Sequence, residues 1–176
     1  MTLEVVMPTL VIAPDIAAIY HATRSNVDTW RGNGWLGEPD AIVSGHSVWV
    51  LETLAPRLHG HMNPPRESLR GRPPIHRQPD PAALETVRAR SMVEPGVVPA
   101  GVKEVAWCMW IGPDLLSSPA RQRQFPAPIA LLGPPLKRDG KPARQDRAFD
   151  LRAFAHWPEF DRRGRGAEML TTRRIG

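Results

Sequence analysis

Residues 23–31 read T-R-S-N-V-D-T-W-R, side chains suited to the base edges and backbone of a nucleic-acid duplex. Arginine grips a guanine edge bidentately, and a helix that presents such groups at its N-terminal end fits a major groove. Val27 and Trp30, three apart, turn inward on a helix. Arg24, Ser25, Asp28 and Thr29 then face outward, with Asn26 near the edge and Arg31 placed for a phosphate. Arg24 is the residue expected to select guanine. A second cluster is Gly133–Arg147, GPPLKRDGKPARQDR, where Lys137, Arg138, Lys141, Arg144 and Arg147 place five basic residues in fifteen. An Arg/Lys/Pro/Gly arm of this kind suits phosphates or a minor groove. Arg121 and Arg123, just before Phe125-Pro126, would face the same backbone. His46 and Ser117 complete the set of candidate DNA contacts.

Other chemistries find no matching residues. Ser44-Gly45-His46-Ser47 is not a nucleophile elbow, no Gly-rich phosphate loop is present, and no carboxylate pair flanks an apolar motif, so no enzyme is expected. His59 and His61 are spaced His-x-His with His76 nearby, but without cysteine or a third placed ligand neither a metal site nor a cofactor is expected. The one cysteine, Cys108, reads as a core residue. Trp30, Trp49, Trp107, Trp110 and Trp157 fall on inferred core faces and are expected to pack rather than stack on bases.

The chain has 176 residues, 41 % hydrophobic, with 20 prolines and 14 glycines that favour short elements and irregular backbone. Its longest apolar runs fall short of the ~18 residues of a membrane span. The N-terminus has an acidic residue and no basic region, unlike a secretory signal, so a cytoplasmic, nucleoid-associated protein without membrane contact is expected. The basic residues are 20 Arg and 3 Lys, and they grow toward the C-terminus. Residues 1–56 carry net −4, residues 57–96 net +3, and residues 97–176 net +6. An anionic partner is therefore met mainly by the second half.

Residues 59–81 hold a run of prolines and arginines, including Arg66, Arg70, Arg72 and Arg77, and read as a linker that tracks a duplex or merely stays solvated. A short helix is expected over 82–92, ended by Glu94-Pro95-Gly96, and residues 161–176 read as a basic tail with little to pack. The segments on either side of the linker resemble each other. A shift of 89 carries Ile16-Ala17 onto Val105-Ala106, Tyr20 onto Met109, Ala22 onto Ile111, Leu36 onto Phe125 and Ala41 onto Ala130. After an insertion of 11 residues, a shift of 100 carries Trp49 onto Phe149, Leu51 onto Leu151 and Leu54 onto Phe154.

Each copy predicts the same parts. In the first, a helix runs from Ala13 with Pro14 in its opening turn, breaks at His21-Ala22, and gives way to a second helix over 24–31 capped by Thr23. Gly32-Asn33-Gly34 ends that helix, Ala41–Val43 and Ser47–Val50 form a hairpin around Ser44-Gly45-His46, and a short helix from Leu51 follows, bent or started by Pro56. The expected class is mainly α with small β-hairpins (α+β). Its expected divisions are 1–58, a linker 59–96, 97–160 with a long basic wing, and the tail 161–176.

These parts resemble the winged helix-turn-helix units of the MerR and phage-excisionase superfamily. The resemblance rests on Asp15-Ile16-Ala17, Thr23–Trp30, Leu36-Gly37-Glu38-Pro39 and Trp49–Leu54 in the first copy. In the second it rests on Lys103-Glu104-Val105-Ala106, Phe125-Pro126-Ala127-Pro128 and Phe149–Phe154. It implies a tandem pair of such units reading a bipartite double-stranded DNA site as a monomer, in the role of a transcriptional regulator or repressor of phage, plasmid or bacterial origin. Its alternatives are an excisionase-like recombination factor, or an adaptor whose first unit binds protein while only the second binds DNA. Two departures stand out. The family's turn glycine is replaced by His21 and Trp110, and Pro119 falls inside the second copy's second helix, which would then end near Ser118.

Overall fold

The structure is a computed structural model that describes residues 6–59, 78–136 and 139–175. Lys137, Arg138 and the arginines of the 66–77 segment lie outside the described residues. The fold is α+β, with eight α-helices and two three-stranded antiparallel sheets among the described residues. Within those residues no helix is long and apolar enough to cross a membrane.

The first half runs β1 (Leu10–Val11), α1 (Ala13–Ile19), α2 (Arg24–Gly32), β2 (Ala41–Val43), β3 (His46–Val50) and α3 (Leu51–Leu58). Pro14 sits in the first turn of α1, where no intrahelical N–H is lost. Thr23 caps α2 by accepting the Asn26 N–H at 3.1 Å. The β2–β3 turn places Ser44 at φ 53° and Gly45 at φ 82°, the paired left-handed residues of a two-residue hairpin loop. Pro56 lies inside α3 without ending it. The short β1, unforeseen from the sequence, pairs with β3 through Leu10 opposite Val50 and Val11 opposite Trp49, so the sheet order is β1-β3-β2.

The second half runs β4 (Pro99–Ala100), α5 (Val102–Cys108), α6 (Pro113–Leu116), α7 (Pro119–Gln122), β5 (Ala130–Leu132) and β6 (Asp146–Asp150), then a 3-10 turn (Leu151–Phe154). Its sheet order, β4-β6-β5, repeats the first. Individual bonds recur at the same offsets. Ala22 N–H donates to Ala17 O at 2.9 Å and Ile111 N–H to Ala106 O at 3.1 Å, 89 positions on. Leu51 N–H donates to Thr9 O and Leu151 N–H to Val98 O, both at 2.9 Å. His21 at φ 48° and Trp110 at φ 57° both hold the left-handed conformation that a turn glycine would adopt freely.

Two further helices tie these halves together. Helix α4 (Pro81–Ser91), capped by Asp80, lays Val87 into the first core beside Trp49 and Leu54. Helix α8 (Arg165–Thr172) buries Met169 in the second core, and Ile175 beyond it lies in the layer between the sheets. The C-terminal segment is therefore packed, contrary to its reading as a tail, because Met169 and Ile175 each find an apolar pocket. Leu10, Ile12, Val43, Val48 and Val50 of the first half meet Val97, Ala130, Leu132 and Ala148 of the second in one buried layer. Burying each larger aliphatic side chain is worth roughly 1.5–3 kcal/mol. The halves pack on one another rather than hanging apart on a tether.

Candidate functional site

On α2, Val27 and Trp30 are buried and the other face is open. Arg24, Ser25, Asn26, Asp28, Thr29 and Arg31 are all exposed. Asp28 lies between the two guanidiniums, 4.0 Å from Arg24 and 3.9 Å from Arg31. With the Arg24 side chain 69 % exposed, these are weak pairs that an incoming anion can replace. Thr29 donates its hydroxyl to Ser25 O at 2.9 Å, so that group is turned to its own helix.

Arg24, Asp28 and Arg31 line a groove of about 220 Å³ whose far wall is the hairpin residues His46 and Ser47. His46 also borders a second groove, about 910 Å³, lined by Ser117, Gln122, Arg144 and Arg147 of the other half. The structure thus gathers seven of the expected residues along two adjoining grooves. At their junction His46 Nε2 lies 3.2 Å from the Asp146 carboxylate. Arg144 is exposed, with no bond or ion pair among the described residues, and Arg147 Nη2 donates to Gln122 Oε1 at 2.5 Å. Ser117 donates to Pro113 O at 2.9 Å within its own turn.

The remaining expected contacts lie elsewhere. Arg121 Nη2 donates to Glu159 at 2.9 Å and its guanidinium sits 5.9 Å from the Trp157 ring, so it serves the second core. The backbone N–H of Glu159 and the Arg121 guanidinium hold the Glu159 carboxyl below its usual range. Arg123 is exposed outside both grooves, and Lys141 pairs with Asp139 at 3.1 Å on the long hairpin. Lys103, absent from the expected set, lines the larger groove from α5. A signal was there: the 89-residue shift places it opposite Pro14, which lines the smaller groove.

Helix α2 has no continuous counterpart. Pro119 lacks the N–H that would extend α6, so that helix stops at Leu116 and α7 starts afresh, with Ser118 accepting the Arg121 N–H at 3.4 Å. Trp107 and Trp110 also depart from expectation. They are 42 % and 65 % exposed instead of packed in the core. The Arg165 guanidinium lies 3.4 Å from the Trp110 ring centroid and 4.8 Å from that of Trp107. Trp110 Nε1 donates to Asp161 at 2.9 Å, which holds that carboxyl below its usual range. Trp107 lies on the open face of α5, and the left-handed turn at Trp110 carries the second ring beyond the end of that helix. Comparison with protein-family models, curated proteins and solved structures finds no match.

Proposed function

We propose that the protein is a non-enzymatic, sequence-specific double-stranded DNA-binding protein built from two winged helix-turn-helix units in one chain. The observation that carries this reading is the exposed polar face of α2, flanked by its own hairpin at His46 and continuous with the Arg144–Arg147 groove. A capped helix with Arg24 at its first position offers base edges what a major groove accepts, and a hairpin beside it meets the backbone. Five basic residues in the longer hairpin supply phosphate contacts to the second unit. Regulation of transcription, as a repressor, is the role that fits such a module, and recombination control uses the same contacts.

The test is selection of bound sequences from random duplex DNA by the intact chain, followed by titration across salt. Replacing Lys141, Arg144 and Arg147 with Ala should flatten the slope of log K against log salt by about 0.9 for each phosphate no longer neutralised. An unchanged slope removes the long hairpin from the interface. Binding without enrichment of any sequence favours the adaptor reading, in which the first unit contacts protein.

A further inference from the structure

We infer that one chain engages its duplex as a built-in pseudo-dimer, on two inverted half-sites, with no second copy needed. This rests on the DNA-binding reading above. Two units in series can be related by translation, which sets half-sites in direct repeat, or by a two-fold axis, which inverts them. Reciprocity of contact separates the cases, because only a two-fold makes the contact from i to j return as one from j to i.

Asp15 at the start of α1 accepts its own cap, Ile12 N–H, at 3.2 Å, and reaches across to Gly133 N–H of the second hairpin at 3.1 Å. Glu104, its equivalent 89 positions later, accepts its own cap, Gly101 N–H, at 2.8 Å. It then reaches back to Ser44 N–H of the first hairpin at 2.7 Å. Ser44 and Gly133 are themselves equivalents under the same shift. Strand packing has the same form, with β1 against β5 and β2 against β4. A position on a two-fold meets its own counterpart, and the sheets supply one. His46 stands opposite Val43 in its hairpin and Asp146 opposite Leu132 in the other, and the two join at 3.2 Å.

That pair is also where the two grooves meet, so the axis runs between the two candidate reading surfaces. Surfaces related this way face a duplex with opposite polarity, as paired half-sites require. The apolar sheet faces through which a second copy would pair are already buried against each other within the chain. The half-sites are not identical. Where the first groove offers Arg24 and Arg31, the 89-residue shift gives Pro113 and Ala120. The first half-site is therefore read at its bases, and the second is held at its phosphates by Arg144 and Arg147.

The experiment takes a duplex selected from random DNA by the intact chain and maps it by phosphate-ethylation interference, with the binding stoichiometry titrated in parallel. The expected result is two clusters of phosphates whose ethylation removes the DNA from the bound fraction. They lie on opposite strands about a central dyad, at one chain per duplex. Clusters repeated on the same strand, a single cluster, or two chains per duplex would overturn the inference while leaving sequence-specific binding intact. Failure to bind any duplex would sink the DNA-binding reading and this inference together.

Discussion

Equivalent segments of the two halves carry different structures. In the first they form α2, nine residues of continuous helix, and in the second they form α6 and α7, four residues each, separated at Ser117-Ser118. The hairpins differ in the opposite sense. The first closes through Ser44-Gly45, whereas the second spends residues 133–145 between its strands and carries the basic cluster. Charge follows the same division, with net −4 over residues 1–56 and +6 over residues 97–176. On the DNA-binding reading proposed above, the halves divide the work: one presents Arg24 and Arg31 on a continuous helix, and the other, interrupted at Pro119, presents mainly positive charge.

The largest expected effect breaks the symmetry at its buried end. Asp15 is wholly buried and bonds Arg90, whose side chain is only 13 % exposed, so Asp15→Ala leaves a buried cation unpaired. That should cost about 3–5 kcal/mol. Glu104→Ala, at the equivalent position, leaves the Ser44 and Gly101 amides without their acceptor but no buried charge unpaired, and should cost about 1–3 kcal/mol. Urea midpoints at constant m-value measure both. Equal losses would make the two ends of the interface energetically alike.

A smaller effect separates the reading surfaces. Arg24→Ala should lower discrimination at one base pair by about 1–3 kcal/mol and leave binding to random duplex near its original value. Ser117→Ala, equivalent to a change at Asp28, should alter discrimination by less than about 0.5 kcal/mol, since its hydroxyl is already bonded to Pro113 O. Equal loss on selected and random duplex would reduce Arg24 to a backbone anchor.

Alkaline pH tests whether the halves open together. Burial pushes the Tyr20 phenol in the first core up to about 12 and the Cys108 thiol in the second up to about 11. Both groups are neutral when folded, so their contributions are whole below the ordinary values of 10 and 9 and are lost as pH rises to about 12 and about 11. Each is the only residue of its type in the chain. Tyrosinate absorbance and thiol labelling should therefore rise in one shared step. Labelling of Cys108 well before tyrosinate forms would show that the second half opens alone.

The smallest effect compares the two turns. His21→Gly relieves a left-handed residue, worth about 1–2 kcal/mol, against the added entropy of the unfolded glycine and the loss of an exposed pair with Asp80 at 3.5 Å, so the net change should be a gain under about 0.5 kcal/mol. Trp110→Gly relieves the same strain but surrenders the Arg165 stack and the bond to Asp161, and should destabilise. Thermal midpoints of opposite sign are the expected outcome.

Much of the local structure could be read before the fold. Thr23 as a cap, Pro14 in a first turn, the Val27–Trp30 spacing and the Ser44-Gly45 turn each act within a few residues, and each lies in the structure where those local rules place it. The break at Pro119 is local too, since a missing N–H interrupts a helix whatever surrounds it. Other features depended on partners far along the chain. Strands β1 and β4 are two residues each, too short for any period, and exist only because β3 and β6 offer them a ladder. Trp107 and Trp110 looked like core residues because an apolar ring on a short helix says nothing about which side the rest of the protein will cover. The arrangement of the halves was the least accessible. Asp15 and Gly133 stand 118 residues apart, and Ser44 and Glu104 stand 60 apart. A proline-rich connection between similar segments fits a loose tether as well as a close embrace. Burial of the aliphatic faces of both sheets against each other chose between them, because that free energy exists only once the two faces meet.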